Sequence, residues 1–218
     1  MRIKAVMFDF IGTTVIEKDP LVITRCFVSA FKDHGLAVEE AIIKANRGKD
    51  KKEMVRTVLS EKGFSLALIQ PVLQSFQDHL HDSLDNFGKN EEADDIIRDL
   101  KKRKILVGLG SGLPRDIFEA ILHHVGWSTT TFDYTGIAEE IGKSRPDPAM
   151  LFDIMSKLGI RNDELLKVGD TVADIQEGKN AKVMTAAILS GTQDEKEIVG
   201  AKPDFIIRSL DELKQIVG

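Results

Sequence analysis

The sequence predicts an α/β fold, a doubly wound parallel sheet with a block of helices inserted after its first strand. Three observations carry this. An apolar run, Ala5-Val6-Met7-Phe8, ends in Asp9 and breaks at Gly12. From there to about residue 103 the apolar spacing is helical, with residues recurring at three and four. From Lys104 onward strand-like runs alternate with helical ones, the pattern of a parallel sheet covered on both faces.

Taken in order, the first strand is expected near 3–9. A carboxylate at the C-terminal tip of a buried parallel strand is where open α/β sheets place their chemistry. Asp19-Pro20 reads as an N-cap and first helical position, and apolar residues at 22, 23, 27, 30 and 31 give one face before His34-Gly35 stops the helix. Further helices are expected near 38–46, 51–62, 65–84 and 91–103, with Asn86-Phe87-Gly88-Lys89-Asn90 as a linker. Strands follow near 104–110, 131–135, 165–169, 183–189 and 204–207, and helices near 114–125, 147–158, 172–181 and 209–217. Ser209-Leu210-Asp211-Glu212 has the form of a capping box for the last helix. Leu165-Leu166-Lys167-Val168-Gly169-Asp170 repeats the plan of the first strand, with Asp174 four residues on. Two such tips can place Asp9 and Asp170 around one cation.

Composition narrows the partners. A chain of 218 residues, 42% hydrophobic and 30% charged, can bury one good core plus a small accessory domain. The net charge of −5 offers no basic footprint for nucleic acid. The stretch before Asp9 is too short for a signal peptide, and no run approaches a membrane span. The single Cys26 excludes an internal disulfide and suits a cytoplasmic protein. It lies on the apolar face from Val22 to Phe31, which serves either packing within the insertion or a homodimer. His123-His124 suits the C-terminal end of a helix. His79 and His81 cannot share a helical face, and Trp127 after Gly126 reads as a packing lid.

Asp9 and Gly169-Asp170 with Asp174 resemble the first and fourth motifs of the haloacid dehalogenase-like hydrolases. Leu106-Val107-Gly108-Leu109-Gly110-Ser111 resembles the second motif, a strand ending in Ser or Thr, and Ser144-Arg145-Pro146-Asp147-Pro148 the third, a basic residue before Pro-x-Pro. All four occur in order and cover essentially the whole chain. The resemblance implies that residues 16–88 are a helical cap domain, and that 1–15 with 89–218 are the core.

It also implies magnesium-dependent hydrolysis of a small phosphorylated or phosphonate metabolite. Asp9 would be the nucleophile that forms an aspartyl-phosphate, splitting one hard displacement into two easier ones. The metal ligands implied are Asp9, Asp170 and the Ile11 carbonyl, with Asp174 a direct or water-mediated support; Mg2+ needs few protein oxygens because it keeps several waters. Ser111 and Arg145 would bind phosphoryl oxygens, and Gly12, Thr13 and Gly112 would bring backbone N–H groups close to them. The plainer alternatives are that Asp174 is a helix-face charge and Arg145 a surface residue. Lys143 lies two before Arg145, and on an extended segment it shares that face.

Position 11 departs from the phosphatase pattern. Phosphatases of this family carry a second Asp two residues after the nucleophile as general acid and base, and here that place holds Ile11. Phosphonatases (phosphonoacetaldehyde hydrolases) have a non-acid there within Asp-x-x-Gly-Thr-Thr and Arg in the third motif, as this chain does. Cleaving a C–P bond expels a carbanion, for which an iminium between an aldehyde and a lysine is an electron sink. Phosphonatases place that lysine in the cap, a few residues after a glycine. In Arg47-Gly48-Lys49-Asp50-Lys51-Lys52, Lys51 matches best, although a Lys-rich helix start also reads as a solvated face. The residues that accompany the phosphonatase lysine, a Met, a His, a Cys and a Tyr, fall on Arg47, Met54, Asp19 and Leu113, and none is retained. A phosphomonoesterase resembling phosphoglycolate phosphatases is therefore the alternative, and a non-catalytic phosphate-binding relative the third reading.

Overall fold

A computed structural model describes residues 2–45 and 51–218, so Arg47, Gly48 and Lys49 lie outside the described residues. Strand β1 (Ala5–Asp9) is followed by β2 (Val15–Glu17) and by helices α1 (Val22–Asp33), α2 (Glu40–Ala45), α3 (Lys51–Glu61) and α4 (Ile69–His81). The chain then returns through β3 (Phe87–Lys89) and α5 (Ala93–Lys102) to β4 (Leu106–Ser111). Next come α6 (Arg115–His124), β5 (Tyr134–Ile137), α7 (Ala138–Ile141), α8 (Ala149–Leu158) and β6 (Leu165–Gly169). The chain ends with α9 (Val172–Ala181), β7 (Met184–Ile188), α10 (Glu195–Gly200), β8 (Phe205–Ile207) and α11 (Leu213–Ile216).

Six strands form one parallel sheet in the order β5-β4-β1-β6-β7-β8. The chain winds outward on one side through β4 and β5, then crosses to the other side for β6, β7 and β8. The strand order thus reverses beside β1, and the crevice at such a point, beyond the carboxyl ends of the strands, is where open sheets bind ligands. Asp9, Ser111 and Gly169-Asp170 stand at those ends.

Helix α1 buries Val22, Ile23, Cys26, Phe27, Ala30 and Phe31, the face expected from their spacing. That face packs on α4, where Phe27 and Phe76 stack at 3.6 Å between ring centroids. It is thus consumed inside the chain. The helix starts two residues later than its Asp-Pro pair suggests, with Leu21 as N-cap, and Asp19 Oδ1 accepts the Leu21 N–H at 3.0 Å in the turn that precedes it. Trp127 is buried edge-on to Phe132 and its Nε1 donates to Asp94 at 2.7 Å, which makes it a packing residue.

Four further features differ from the sequence expectations. The segment 86–90 contains β3, which pairs antiparallel with β2, so the two connections into the helical insertion are joined by main-chain hydrogen bonds. Strands of three residues are too short to show a period, and Gly88 hides this one further. Strand β5 begins at Tyr134, later than expected, because Thr129–Thr131 form a 3-10 turn. The expected C-terminal helix is a 3-10 turn over Leu210–Glu212 followed by α11; Glu212 accepts the Ser209 N–H at 3.1 Å, the reciprocal half of the capping box. Helices α7 and α10 were not expected, being too short for a periodic signal. Among the described residues no helix is long and apolar enough to cross a membrane.

Phe76 is about 1% exposed and spans the α1–α4 contact. Phe76→Ala should cost about 3–5 kcal/mol of folding free energy, from lost transfer energy plus the cavity left behind. Urea denaturation followed by circular dichroism would measure it; a loss below about 1 kcal/mol would mean that α1 and α4 do not depend on this contact.

Candidate active site

The tip of β1 delivers Asp9, and the chain turns at once through Phe10-Ile11-Gly12-Thr13. The Gly12 N–H donates to the Val15 carbonyl at 2.7 Å, and its φ of +97° is a conformation that side chains rarely adopt. A Cβ at Gly12 would also overlap the Asp170 carboxylate, as would one at Gly191. Two glycine backbones thus approach Asp170 more closely than any side chain would allow. Its Oδ1 accepts from the Thr13 hydroxyl at 3.2 Å, and its Oδ2 accepts from the Thr192 N–H at 2.7 Å and hydroxyl at 2.6 Å.

Asp174 lies in the first turn of α9. The Thr171 hydroxyl and N–H donate to its Oδ2, and its N–H is accepted by the Thr171 hydroxyl at 3.2 Å, a capping box that fixes the start of the helix. Its Oδ1 faces inward. Asp9, Asp170 and Asp174 are all buried and each offers a carboxylate oxygen within 4.8 Å of the others.

Arg145 is drawn into this cluster. Its Nη1 lies 2.6 Å from Asp9 Oδ1 and 3.2 Å from Asp174 Oδ1, its Nε 3.4 Å from Glu177 Oε2, and its Nη2 donates to the Gly110 carbonyl at 3.2 Å. It is therefore no surface residue, and Asp174 is no solvated helix charge. Burial disfavours the guanidinium, but Asp174, Asp9 and Glu177 outweigh burial and hold its pKa above the ordinary value. Burial likewise opposes ionisation of Asp174, yet Arg145 and Lys167 keep it below the carboxylate range. Lys143 instead is largely exposed, 3.9 Å from Asp147.

Burial, then the neighbouring Asp9 and Asp174, push the pKa of Asp170 up to about 7 against the opposing hydrogen bonds of Thr192. Burial also raises that of Asp9, Arg145 opposing and Asp174 reinforcing the rise. Carboxylates crowded in this way fit a hard divalent cation, whose charge reverses the cost of ionising them and whose preference is for oxygen. Asp9 and Asp170 are the residues best placed to hold it. Both Asp174 oxygens are already engaged by the protein, which suits an indirect contribution.

A cavity of about 110 Å³ opens on this cluster, lined among others by Asp9, Ile11, Ser111, Gly112, Arg145 and Lys51. Lys51, at the start of α3, thus faces the same space as Asp9 across the insertion. Ser111 is buried and its Oγ accepts the Leu113 N–H at 3.0 Å. The cavity continues into a cleft of about 730 Å³ between α3 and α4 on one side and residues 112–114 and 138–145 on the other. Of the phosphonatase companion positions, Leu113 lines the smaller cavity, Met54 is buried, and Asp19 pairs with Arg25.

Four residues at this centre were not foreseen. Lys167 is a lysine inside an otherwise apolar strand, about 1% exposed, and that interruption was a readable signal. Glu177 follows Asp174 by three residues on the same helix face and could have been read from that spacing. Thr192 and Gly191 approach Asp170 from a distant loop without any local pattern to announce them.

The Asp170 pKa makes stability depend on pH when no cation is bound. The folded side chain keeps its proton up to about pH 7, whereas the unfolded one releases it near 3.8, so between these values the native state binds more protons. Its contribution to stability is therefore present at low pH and is lost as pH rises through that window. In chelator, Asp170→Asn should melt higher than the parent at about pH 8 and show no such advantage near pH 4. Equal pH profiles for the two proteins would contradict the assignment.

Comparison with known proteins agrees with this geometry. Residues 6–188 match the family model described as haloacid dehalogenase-like hydrolase. A phosphonoacetaldehyde hydrolase of Bacteroides fragilis is 22% identical over 253 residues, covering 99% of this chain and 96% of the relative. Another from Bacillus cereus is 26% identical over 208 residues, covering 89% and 78%. The fold is shared with a hydrolase from Pseudomonas syringae, with a TM-score of 0.86, 17% identity and coverage of 99% of this chain and 100% of that one. A predicted phosphoglycolate phosphatase from Haemophilus somnus gives a TM-score of 0.84, 18% identity and coverage of 100% and 99%. The chain belongs to the haloacid dehalogenase-like hydrolase family and is an enzyme of that family.

Proposed function

We propose that the protein is a magnesium-dependent hydrolase that cleaves a small phosphonate or phosphorylated metabolite through an aspartyl-phosphate at Asp9. The observation that carries this reading is the convergence of Asp9, Ser111 and Arg145 on one small cavity, with Asp170 and Asp174 directly behind it. Bound Mg2+ would supply positive charge to the nucleophile and to the phosphoryl oxygens alike. Asp9 would attack phosphorus, and Arg145 would stabilise the oxygens as charge builds on them, with Ser111 as a second donor. Thr13 and Thr192 orient Asp170, Gly12 leaves room for the Asp170 carboxylate, and Gly112 lines the cavity where a phosphoryl group would approach.

Residues 16–88 serve as the cap in this reading, and 1–15 with 89–218 as the core. The β2–β3 pair is the joint about which the cap would close to exclude water. Ile11 lines the cavity and brings no acid to a leaving alkoxide. That supports C–P cleavage, and the names of the curated relatives point the same way. Lys51 faces the cavity from the cap side and is the candidate for an iminium with an aldehyde-bearing substrate. The second reading, a phosphomonoesterase of the phosphoglycolate-phosphatase kind, is favoured by the failure of Met54, Asp19 and Leu113 to match the companions of the phosphonatase lysine. The place of action would be the cytoplasm, consistent with the unpaired Cys26. A homodimer would need a surface other than the buried α1 face.

Phosphate release with magnesium, measured across aldehyde-bearing phosphonates and phosphate monoesters, tests the reading. Turnover of at least one class is expected, falling by about a thousandfold or more in Asp9→Asn, which keeps shape but not nucleophilicity. Undiminished release by Asp9→Asn would remove Asp9 from its role.

The class of substrate is read separately. Borohydride added together with an aldehyde-bearing phosphonate should inactivate the enzyme and leave a reduced adduct on Lys51, found by peptide mass spectrometry. Full activity after that treatment would assign the protein to monoester hydrolysis.

A further inference from the structure

Lys167 and Glu177 are both about 1% exposed and neither lines the cavity beside Asp9. We infer that they are positioning residues that hold the Arg145 guanidinium and the Asp174 carboxylate in the arrangement that phosphoryl binding requires; this rests on the reading of Arg145 as a ligand of phosphoryl oxygens.

Lys167 Nζ lies 2.9 Å from Asp174 Oδ1 and 3.4 Å from Glu177 Oε2. The same two oxygens meet Arg145, Asp174 Oδ1 at Nη1 and Glu177 Oε2 at Nε. Two cations and two carboxylates therefore alternate around a closed ring. Its formal charge is zero, so Asp9 and Asp170 remain as the two carboxyl groups of the cluster outside it. That separation leaves those two carboxylates to face a divalent cation while the ring balances itself.

The ring also sets the guanidinium plane. Glu177 engages Nε, the Gly110 carbonyl engages Nη2, and Nη1 is left pointing at Asp9. Arg presents its donors in a rigid fork, so fixing two edges fixes the direction of the third. Without Glu177 one edge is released and the fork can swing. Without Lys167, Asp174 and Glu177 lose a shared counter-charge and compete for Arg145, which draws it away from Asp9.

Stability alone is a poor explanation for this arrangement. Buried ion pairs often contribute less than the apolar residues that could replace them, because desolvation offsets the attraction. Here the contacts are at ion-pair distance without aligned hydrogen bonds to Lys167 Nζ or either Glu177 oxygen.

The test uses the full-length protein, binding of inorganic phosphate by calorimetry in excess magnesium, and separate values of kcat and KM. Glu177→Gln preserves shape and should fold. It is expected to raise the phosphate dissociation constant by about tenfold or more and to lower kcat. Its melting temperature should fall, because a buried cation is left without its counter-charge, while its magnesium affinity without phosphate should be retained. The double variant Lys167→Met/Glu177→Leu removes the pair without leaving a lone charge, so it should melt near or above the parent yet keep the phosphate defect. A parental phosphate dissociation constant and kcat in Glu177→Gln would overturn the inference, as would their recovery in the double variant. If the parent binds magnesium but no phosphate, the reading of Arg145 fails instead.

Discussion

The crowding of buried carboxylates at the ends of two adjacent parallel strands and in the helix that follows the second is the constraint on which the rest of the structure depends. Like charges brought this close in a dry site repel strongly and disfavour their own ionisation. The fold answers with two buried cations, Arg145 and Lys167, and with a cage of threonine and backbone donors around Asp170 and Asp174. What remains are the carboxyl groups of Asp9 and Asp170, held above their ordinary pKa by burial and by one another, and a bound divalent cation would reverse that cost.

The sheet order explains why these groups meet. Because β4 and β6 flank β1, the second, third and fourth motif segments reach the first although more than a hundred residues separate their ends. The helical insertion then stands over the strand tips with Lys51 at the edge of α3. The small cavity at Asp9 and the larger cleft beyond it divide the site by chemistry. In the proposed reading the inner part would hold the phosphoryl group, and the outer part, with Gln70, Gln74 and Gln77 on one face of α4, would recognise the leaving group.

How much of this was readable before the structure depended on the range of the signal. Strand tips carrying Asp9, Ser111 and Asp170 were legible because apolar runs and their terminal polar residues lie together in sequence. The amphipathic face of α1 was legible for the same reason, and its partner α4 resolved whether the face served internal packing or a dimer. The β2–β3 pair was not, since its strands are three residues long and joined only through tertiary structure. Lys167 was visible but overlooked within an apolar strand, while the approach of Thr192 and Gly191 to Asp170 depends on a loop that no periodicity marks.

The central claim is that Asp9 becomes phosphorylated. Rapid acid quench of the magnesium-loaded enzyme during turnover of its best substrate, followed by peptide mass spectrometry, tests it most directly. The account predicts a phosphoryl adduct on the peptide carrying Asp9, converted to the hydroxamate by hydroxylamine. A phosphoryl adduct mapped to any other residue, or a full turnover of phosphate release with Asp9 unmodified at every time point, would contradict it.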